Sequence, residues 1–509
     1  LSPPPMPPPT SNNLLEVNAM NPQIKRLFFV VFVMLLSLMV ACTYIQFLGA
    51  DSLNADGRNS RAFYRSKYIE RGPIMVGENA IAASEPTQDS TGYRKRYHRV
   101  YSDQAPLYSN LTGYLSPGGN ATGLERLQNS VLMGEASSQA LSQILKYAAG
   151  ENQKGGGVRL TINPKIQQAA AQALGNRKGA AVAINYQTGA ILAAVTTPRF
   201  DPNTLASGSE EESQKTQKEL NSDPAKPMLD RALRGEYPPG SSFKIITAAA
   251  ALEQGIRSPE GEVDAPVSVP LPGSNARISN VESTNCGNGS PTFSYAFALS
   301  CNTPFATIAH DLGYEALKQQ AEDFGFNPKT ALNVPLPVQK PYFPTADPGL
   351  ASTMMSAIGQ YEVRTSPLMM ATVAGAVANQ GTQVRPFLVA SELGPDGKET
   401  RNYRSGGTLG RPISKEVSQQ LREMMIQTVT EGTGKAGSVS GVEMGAKTGT
   451  AEIASGKTDA WYVGWADIPD YPLAFAVVVE GDSANPTPHG GPVSGPIAKT
   501  IIQAAMNHD

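Results

Sequence analysis

A long uncharged segment near the N-terminus sets the first limit on the fold of this 509-residue chain. Residues 27–48 read LFFVVFVMLLSLMVACTYIQFL and contain no charged side chain. A helix rises about 1.5 Å per residue, so a segment of this length crosses the roughly 30 Å hydrocarbon core of a bilayer. It predicts a transmembrane anchor, because a cleaved signal peptide has a shorter apolar core of about 7–15 residues.

The charges beside this segment predict its orientation. Lys25 and Arg26 directly precede it, and basic flanks stay on the cytoplasmic side of a membrane. We therefore expect residues 1–26, which are rich in proline, to form a cytoplasmic tail, and residues 27–48 to form a single-pass anchor in the cell membrane. The rest of the chain then lies outside the cytoplasm. Two alternatives stay open: cleavage of the segment, and lipid attachment at Cys42.

Composition restricts the function of the exported part. Lysine and arginine together number 42, aspartate and glutamate 44, and the formal net charge is −2. A protein that binds nucleic acid needs a basic surface to neutralise phosphates, so this balance argues against a nucleic-acid partner. Three cysteines are too few for a disulfide framework and lack the spacing of a zinc site. We expect no metal and no other cofactor.

The exported part divides at three consecutive glycines, residues 155–157, which resemble a linker. The polar stretch 49–157 predicts a smaller mixed domain, a non-catalytic pedestal. Residues 158–509 have the composition of one large folded domain.

Within the large domain, residues 179–197 contain two apolar, β-prone runs around a turn and predict a hairpin. Near the C-terminus the sequence predicts three strands and a closing helix, at residues 444–453, 461–465 and 473–480 and from Gly495 onward. Strands at both ends of a helical middle predict an α+β domain whose first and last elements share one antiparallel sheet.

A serine and a lysine three positions apart are the first candidates for chemistry. Pro238-Pro239-Gly240 precedes a predicted helix, residues 241–252, in which Ser241 and Lys244 lie on one face. A serine hydroxyl needs a base to become a nucleophile, and a lysine is such a base when burial or a second cation lowers its pKa. The first N–H groups of the helix favour the negative charge that develops when serine attacks a carbonyl.

Two later motifs supply candidates for the same site. Lys447-Thr448-Gly449-Thr450 lies on the first of the three C-terminal strands and offers the second cation. Ser300-Cys301-Asn302 offers a hydroxyl and an amide. Each motif by itself also fits an ordinary capped helix or solvated side chains. Their order within one exported domain predicts that they form a single site.

These motifs, in this order, resemble those of the serine penicillin-recognising enzymes. The chain is similar to class B penicillin-binding proteins over nearly all of its exported part, and within that class to the actinobacterial penicillin-binding protein A type, whose members act in cell-wall synthesis at division. The further segments that carry the resemblance are Arg71-Gly72-Pro73-Ile74, Thr161-Ile162-Asn163-Pro164, Tyr237-Pro238-Pro239-Gly240, Ile358-Gly359-Gln360, Thr365-Ser366-Pro367 and Glu431-Gly432-Thr433-Gly434.

The resemblance implies a transpeptidase domain of the β-lactamase-like fold, an antiparallel sheet flanked by helices. It implies acyl transfer on the D-Ala-D-Ala end of a peptidoglycan stem peptide. Ser241 would attack the penultimate carbonyl, and Lys244 would be the base. Ser300 would pass a proton to the departing amine, while Asn302 would hold the substrate amide and the lysine.

The remaining site residues are implied in the same way. Lys447 would supply positive potential, and Thr448, Gly449 and Thr450 would bind the substrate, the two threonines its carboxylate. The backbone N–H groups of Ser241 and Thr450 would form the oxyanion hole. By the same resemblance the serine would be acylated by β-lactam antibiotics.

The middle residue of the second motif, Cys301, is a local peculiarity. Cys286 lies 15 residues earlier, and outside the membrane a disulfide between the two is permitted. We hypothesise that they are bonded and brace the loop that carries Ser300. The alternative is a pair of buried thiols.

The resemblance also suggests a partner and leaves rival functions open. A glycosyltransferase domain needs roughly 200 residues, more than the stretch 49–157 provides, so the protein would cross-link glycan strands made by a membrane-embedded glycan polymerase. The alternatives are a D,D-carboxypeptidase or β-lactamase, and a β-lactam-binding sensor or scaffold without turnover. The sequence shows no additional glutamate placed to activate water and no cytoplasmic signalling part.

Overall fold

The structure, a computed structural model, describes residues 22–49, 67–87, 96–136, 154–453 and 455–507. The chain divides into two compact units, Leu1–Arg65 and Ser66–Asp509. The first unit contains helix α1, Pro22–Thr43, which continues as a π-helical turn, Tyr44–Leu48. Among the described residues, Gln23–Gln46 is the one helical stretch long and apolar enough to cross a membrane. The predicted anchor is thus helical, and the helix begins five residues before the apolar segment.

The second unit contains both strands and helices. Its strands are β1 Ile74–Val76, β2 Asn79–Pro86, β3 Tyr97–Tyr101, β4 Gly157–Leu160, β5 Gly179–Asn185, β6 Ile191–Thr197, β7 Ser268–Pro270, β8 Arg277–Ser279, β9 Gln383–Val384, β10 Val389–Leu393, β11 Glu399–Asn402, β12 Thr408–Gly410, β13 Glu443–Glu452, β14 Thr458–Asp467 and β15 Leu473–Glu480. Its helices are α2 Ser109–Thr112, α3 Gly123–Leu127, α4 Asn129–Leu132, α5 Pro164–Leu174, α6 Asn203–Ala206, α7 Glu210–Ser222, α8 Arg231–Arg234, α9 Lys244–Glu253, α10 Phe293–Ala298, α11 Thr303–Asp323, α12 Leu350–Ala357, α13 Pro367–Ala378, α14 Lys415–Thr430 and α15 Gly495–Met506.

A five-stranded antiparallel sheet forms the centre of the large domain, in the order β13-β14-β15-β5-β6. The predicted hairpin is confirmed as β5 and β6, and the predicted pairing of the first and last elements is confirmed by the β15–β5 ladder. The middle C-terminal strand is longer than predicted. Polar residues such as Thr458 and Asp459 continue its ladder, because strand pairing uses the backbone and does not require an apolar side chain.

Helices cover both faces of this sheet because its strands are apolar on both faces. Successive side chains of a strand point to opposite faces. Val182 of β5 packs in the same cluster as the wholly buried helix α13, whereas its neighbour Ala181 packs in the cluster of α5 and α15. Burying apolar surface on both faces is the main favourable contribution to the stability of such a layered domain.

A second sheet has six strands, in the order β11-β10-β4-β1-β2-β3. Strand β4 pairs in parallel with β1 and antiparallel with β10, which comes more than 200 residues later in the chain. Strands from before and after residue 157 therefore belong to one sheet. The domain boundary after Gly157, which coincides with the start of β4, stays a prediction.

The three glycines that resembled a linker are instead tightly packed. Gly155, Gly156 and Gly157 are buried. A Cβ atom on Gly155 would lie 1.7 Å from the carbonyl oxygen of Leu132, and one on Gly72 would lie 1.6 Å from that of Gly156. The expectation of a linker was wrong, because these glycines allow backbone segments to approach more closely than any side chain permits.

Candidate active site

The candidate nucleophile, Ser241, lies on a tight turn against the edge strand of the central sheet. The turn, Gly240–Phe243, is a 3₁₀ helix, and α9 begins only at Lys244, later than the predicted start at residue 241. Gly240 has φ +52°, and a Cβ atom there would lie 2.8 Å from the carbonyl oxygen of Thr450. Close approach to β13 therefore explains the turn. Ser242 is buried and its hydroxyl donates to the carbonyl of Pro239.

Several hydrogen bonds from other segments hold the backbone of this turn in place. Tyr237 and Thr365 exchange two backbone hydrogen bonds of 3.0 and 2.9 Å, and the N–H of Gly240 donates to the carbonyl of Gly359 at 2.9 Å. The indole of Trp461 donates to the carbonyl of Pro238 at 3.0 Å. The segments around residues 359 and 365, which carried part of the resemblance, thus support the turn that carries Ser241.

Lys244 is fully buried and connects the turn to the second motif. Its ammonium donates three hydrogen bonds of 2.8 Å, to the carbonyls of Ser300 and Cys301 and to Oδ1 of Asn302. Burial, reinforced by the nearby charge of Lys447, lowers the pKa of Lys244 well below its usual value. A buried lysine with a depressed pKa has the property that a general base requires near neutral pH.

Lys447 reaches the second motif from β13. It is fully buried, and its ammonium donates to Oγ of Ser300 at 2.8 Å and to the carbonyl of Thr448 at 3.1 Å. Burial lowers the pKa of Lys447 to about 7. Ser300 therefore lies between the two lysines: its carbonyl accepts from Lys244 and its hydroxyl from Lys447. Its backbone has φ +62°, a left-handed conformation that is uncommon for a residue with a side chain.

Strand β13 brings its threonines and glycine beside the turn, as predicted. A Cβ atom on Gly449 would lie 2.9 Å from the carbonyl of Pro239 and 3.1 Å from the nitrogen of Ser242. The glycine thus permits a close approach between β13 and the turn. Thr448 Oγ1 lies 2.6 Å from Oγ1 of Thr433, with which it shares a hydrogen bond.

Thr433 is a residue of the site that sequence reasoning missed. Its hydroxyl contacts Thr448 and the carbonyl of Ala298, and its N–H also donates to Ala298, at 3.1 Å. It therefore links the strand of the third motif to the helix that precedes the second. The available signal is its place in Glu431-Gly432-Thr433-Gly434, one of the segments in which the chain resembles class B penicillin-binding proteins.

Cys286 and Cys301 form a disulfide in the structure, with their Cα atoms 5.9 Å apart. It joins the short turn Cys286–Gly289 to the middle of the second motif. Cys301 is buried, whereas Cys42, in the other unit, is an exposed free cysteine.

The structure thus brings Lys244, Ser300, Asn302 and Lys447 into one hydrogen-bonded network, with Ser241 on the adjoining turn. Such an arrangement suits acyl transfer, because the turn that carries the Ser241 hydroxyl leads directly into the helix that begins with a buried lysine able to hold a proton. Among the described residues, no group of three or more His, Cys, Asp or Glu side chains is placed to hold a metal ion.

Comparison with known families covers most of the chain. Residues 179–503 match the family described as penicillin binding protein transpeptidase domain, and residues 71–158 match penicillin binding protein A dimerisation domain. The chain belongs to the penicillin-binding protein transpeptidase family.

Curated relatives and solved structures agree with this assignment. The chain is 36% identical to the peptidoglycan D,D-transpeptidase PbpA of Mycolicibacterium smegmatis, over 96% of this chain and 99% of the relative. It is 35% identical to PbpA of Mycobacterium tuberculosis with the same coverage. The structure of the M. tuberculosis penicillin-binding protein A acyl-enzyme complex with ceftriaxone matches with a TM-score of 0.80 at 34% identity, over 86% of this chain and 99% of that one.

Proposed function

We propose that this protein is a peptidoglycan D,D-transpeptidase that cross-links stem peptides through an acyl-enzyme on Ser241. The observation that carries the proposal is the pair of buried lysines, Lys244 and Lys447, which meet on the two sides of Ser300. The curated relatives with this activity match nearly the whole chain, and related structures contain β-lactam acyl-enzymes.

In the proposed acylation step, Oγ of Ser241 attacks the penultimate carbonyl of D-Ala-D-Ala while neutral Lys244 takes its proton. The resulting ammonium has three acceptors already in place, so the new charge forms in a prepared environment. Ser300 then passes its hydroxyl proton to the nitrogen of the leaving D-alanine and takes a proton from the Lys244 ammonium in its place, so that Lys244 is neutral again. An amine of a second stem peptide then attacks the acyl-enzyme and restores the serine.

Strand β13 supplies the proposed substrate contacts. Thr448 and Thr450 bind the terminal carboxylate, and Lys447 provides positive potential in a buried position where screening by water is weak. Gly449 keeps the strand close to the turn. The N–H groups of Ser241 and Thr450 stabilise the oxyanion, and Asn302 holds both the substrate amide and Lys244.

The proposal extends to placement in the cell. Residues 1–26 are cytoplasmic, 27–48 cross the membrane once, 49–157 form the pedestal and 158–509 the transpeptidase domain outside the membrane. A membrane-embedded glycan polymerase supplies the strands to be cross-linked, and the role is in cell-wall synthesis at division. The apolar helix α1 and the matches to mycobacterial PbpA support this placement.

A fluorescent penicillin tests the nucleophile. The wild-type protein is expected to form a covalent adduct that persists for minutes, and Ser241→Ala is expected to form none. Ser242→Ala is the matched control, because its hydroxyl is buried against Pro239, and it should still label. Covalent labelling of Ser241→Ala would refute the assignment.

A second assay separates the transpeptidase from its rivals. Purified protein is given a D-Ala-D-Ala peptide with and without an amine acceptor, and released D-alanine and cross-linked product are measured. Cross-linked product is expected only with the acceptor. A protein that forms the penicillin adduct but releases no D-alanine from the peptide is a sensor or scaffold. Release of D-alanine without cross-linked product identifies a D,D-carboxypeptidase, and rapid release of penicilloic acid from the penicillin adduct identifies a β-lactamase.

A further inference from the structure

Helix α11, which follows the second motif, is not capped by the side chain of its own N-cap residue. Asparagine at the N-cap normally accepts a hydrogen bond from an N–H two or three residues later. Asn302 holds the N-cap position, yet its side chain makes no such bond. Instead its Oδ1 accepts from Lys244 Nζ at 2.8 Å, and its Nδ2 donates to the carbonyl of Ser279 at 2.9 Å.

A different asparagine takes over the cap. Oδ1 of Asn280 accepts from the backbone N–H of Asn302 at 2.8 Å and from that of Thr303 at 3.1 Å. The hydroxyl of Thr303 is also within 3.2 Å of this oxygen. The first N–H groups of a helix have no partner within the helix, so an acceptor from outside satisfies a real requirement.

The other end of the Asn280 amide, its Nδ2 group, is also hydrogen-bonded. It is buried, and its Nδ2 donates to the carbonyl of Pro266 at 2.7 Å and to that of Thr284 at 3.3 Å. Its own N–H donates to the carbonyl of Val267 at 3.1 Å. Both ends of the amide therefore have partners that match their chemistry, which determines its orientation.

We propose that Asn280 is a positioning residue, which caps α11 in place of Asn302 and thereby leaves the Asn302 side chain available to hold Lys244. The inference rests on the proposed function, in which Lys244 is the base of acylation. It assigns a role to a residue that lies outside the three motifs and is linked to Lys244 through Asn302.

We expect removal of this cap to lower the pKa of Lys244, the proposed base. In Asn280→Ala, the amide of Asn302 is drawn to its own helix, so Lys244 loses one of its three acceptors. The ammonium is then less stabilised and the pKa of Lys244 falls. Neutral Lys244 is the reactive form, so the acylation rate rises with pH as Lys244 loses its proton. This rising part of the profile, the acid limb, therefore moves to lower pH. Lys447, whose charge also lowers the pKa of Lys244, is unchanged in this variant.

We expect Asn280→Asp, a variant of similar shape, to move the acid limb in the opposite direction. Asn280→Asp keeps an oxygen acceptor for the helix N–H groups. It loses the donor to the carbonyls of Pro266 and Thr284 and, when ionised, adds a negative charge next to Asn302, which holds Lys244. An added negative charge favours the ammonium, so the acid limb moves to higher pH. A residue with only a structural role would lower stability without moving the limb in either direction.

The test measures the second-order acylation rate of the full chain by a fluorescent penicillin between pH 5 and 9, together with thermal unfolding. Asn280→Ala is expected to lower the rate about 10-fold to 100-fold, because the ammonium that forms on Lys244 during acylation loses an acceptor that contributes about 1–3 kcal/mol. Asn275→Ala is the control. It lies on the exposed turn between β7 and β8 and should behave like the wild type.

The outcomes separate the two proposals. Absence of labelling in the wild-type protein would defeat the proposed function itself. If the wild type labels, but both Asn280 variants keep its rate and pH profile, the positioning role is wrong. If Asn280→Ala does not fold, Asn280→Asp decides alone. The inference is overturned if the acid limb of Asn280→Asp does not move to higher pH than in the wild type.

Discussion

At the residue scale, the two buried lysines control how acylation should respond to pH. Lys244 has a pKa well below its usual value because of burial and the charge of Lys447, and burial lowers the pKa of Lys447 to about 7. Catalysis as proposed needs the first lysine neutral and the second protonated. The acylation rate should therefore rise with pH as Lys244 loses its proton and fall above about pH 7 as Lys447 loses its own.

Substituting Lys447→Arg separates the two limbs. The guanidinium stays protonated throughout this range, so the alkaline fall should disappear, while the different shape of arginine lowers the maximal rate by roughly 10-fold. The measurement is the penicillin acylation rate against pH. Lys435→Arg, on an exposed turn, is the control and should leave both limbs in place. An unchanged alkaline limb in Lys447→Arg would contradict this role for Lys447.

At the scale of elements, the segment that carries the second motif is fixed by a cross-link. The disulfide joins Cys286 and Cys301, which are 15 positions apart in the sequence. In the chain-entropy model a loop of this size contributes about 3 kcal/mol to stability. Reduction, or Cys286→Ser with Cys301→Ser, should therefore lower the unfolding temperature and slow acylation.

Thiol counting tests this cross-link directly. The denatured but unreduced full chain should show one free thiol, from Cys42, and three after reduction. Cys42→Ser is the matched variant, since it should lower both counts by one and leave the unfolding temperature of the second unit unchanged. Three free thiols before reduction would refute the disulfide.

At the scale of the whole molecule, the six-stranded sheet makes the N-terminal region and the large domain depend on each other. A buried charge cluster supports the N-terminal side of this sheet. Arg71 donates to Oε2 of Glu125 at 2.7 Å and Arg99 donates to its Oε1 at 2.6 Å. One carboxylate thus neutralises part of the charge of two buried guanidinium groups.

Glu125→Gln should lower the free energy of unfolding by about 3–5 kcal/mol, because it leaves buried positive charge without its counterion. Denaturant unfolding of the exported part measures this effect. Glu135→Gln, at an exposed position, is the control. The acylation rate per folded molecule should not change, since the cluster belongs to none of the three motifs. A loss below about 0.5 kcal/mol would contradict the prediction.

The sequence predicted what depends on neighbouring residues. The spacing of Ser241 and Lys244 brings both near the start of one helix, and apolar patterns located the strands of the central sheet. The three short motifs nominated the residues of the site because their chemistry is visible in their side chains. Their assignment to one site came from order and resemblance rather than from any local physical signal.

What only the tertiary structure decided involves contacts between distant segments. Packing buries Lys244 and Lys447 on both sides of Ser300, and burial is the first cause of their lowered pKa values. Asn280 has no distinctive local pattern, and the segment that carries Thr433 contributed to the resemblance without indicating a contact. Their roles emerge only where α11 and β13 meet the second motif. The sequence thus determined which groups were available for the chemistry. The fold determined their protonation and mutual positions, because both depend on which distant groups exclude water and supply hydrogen bonds.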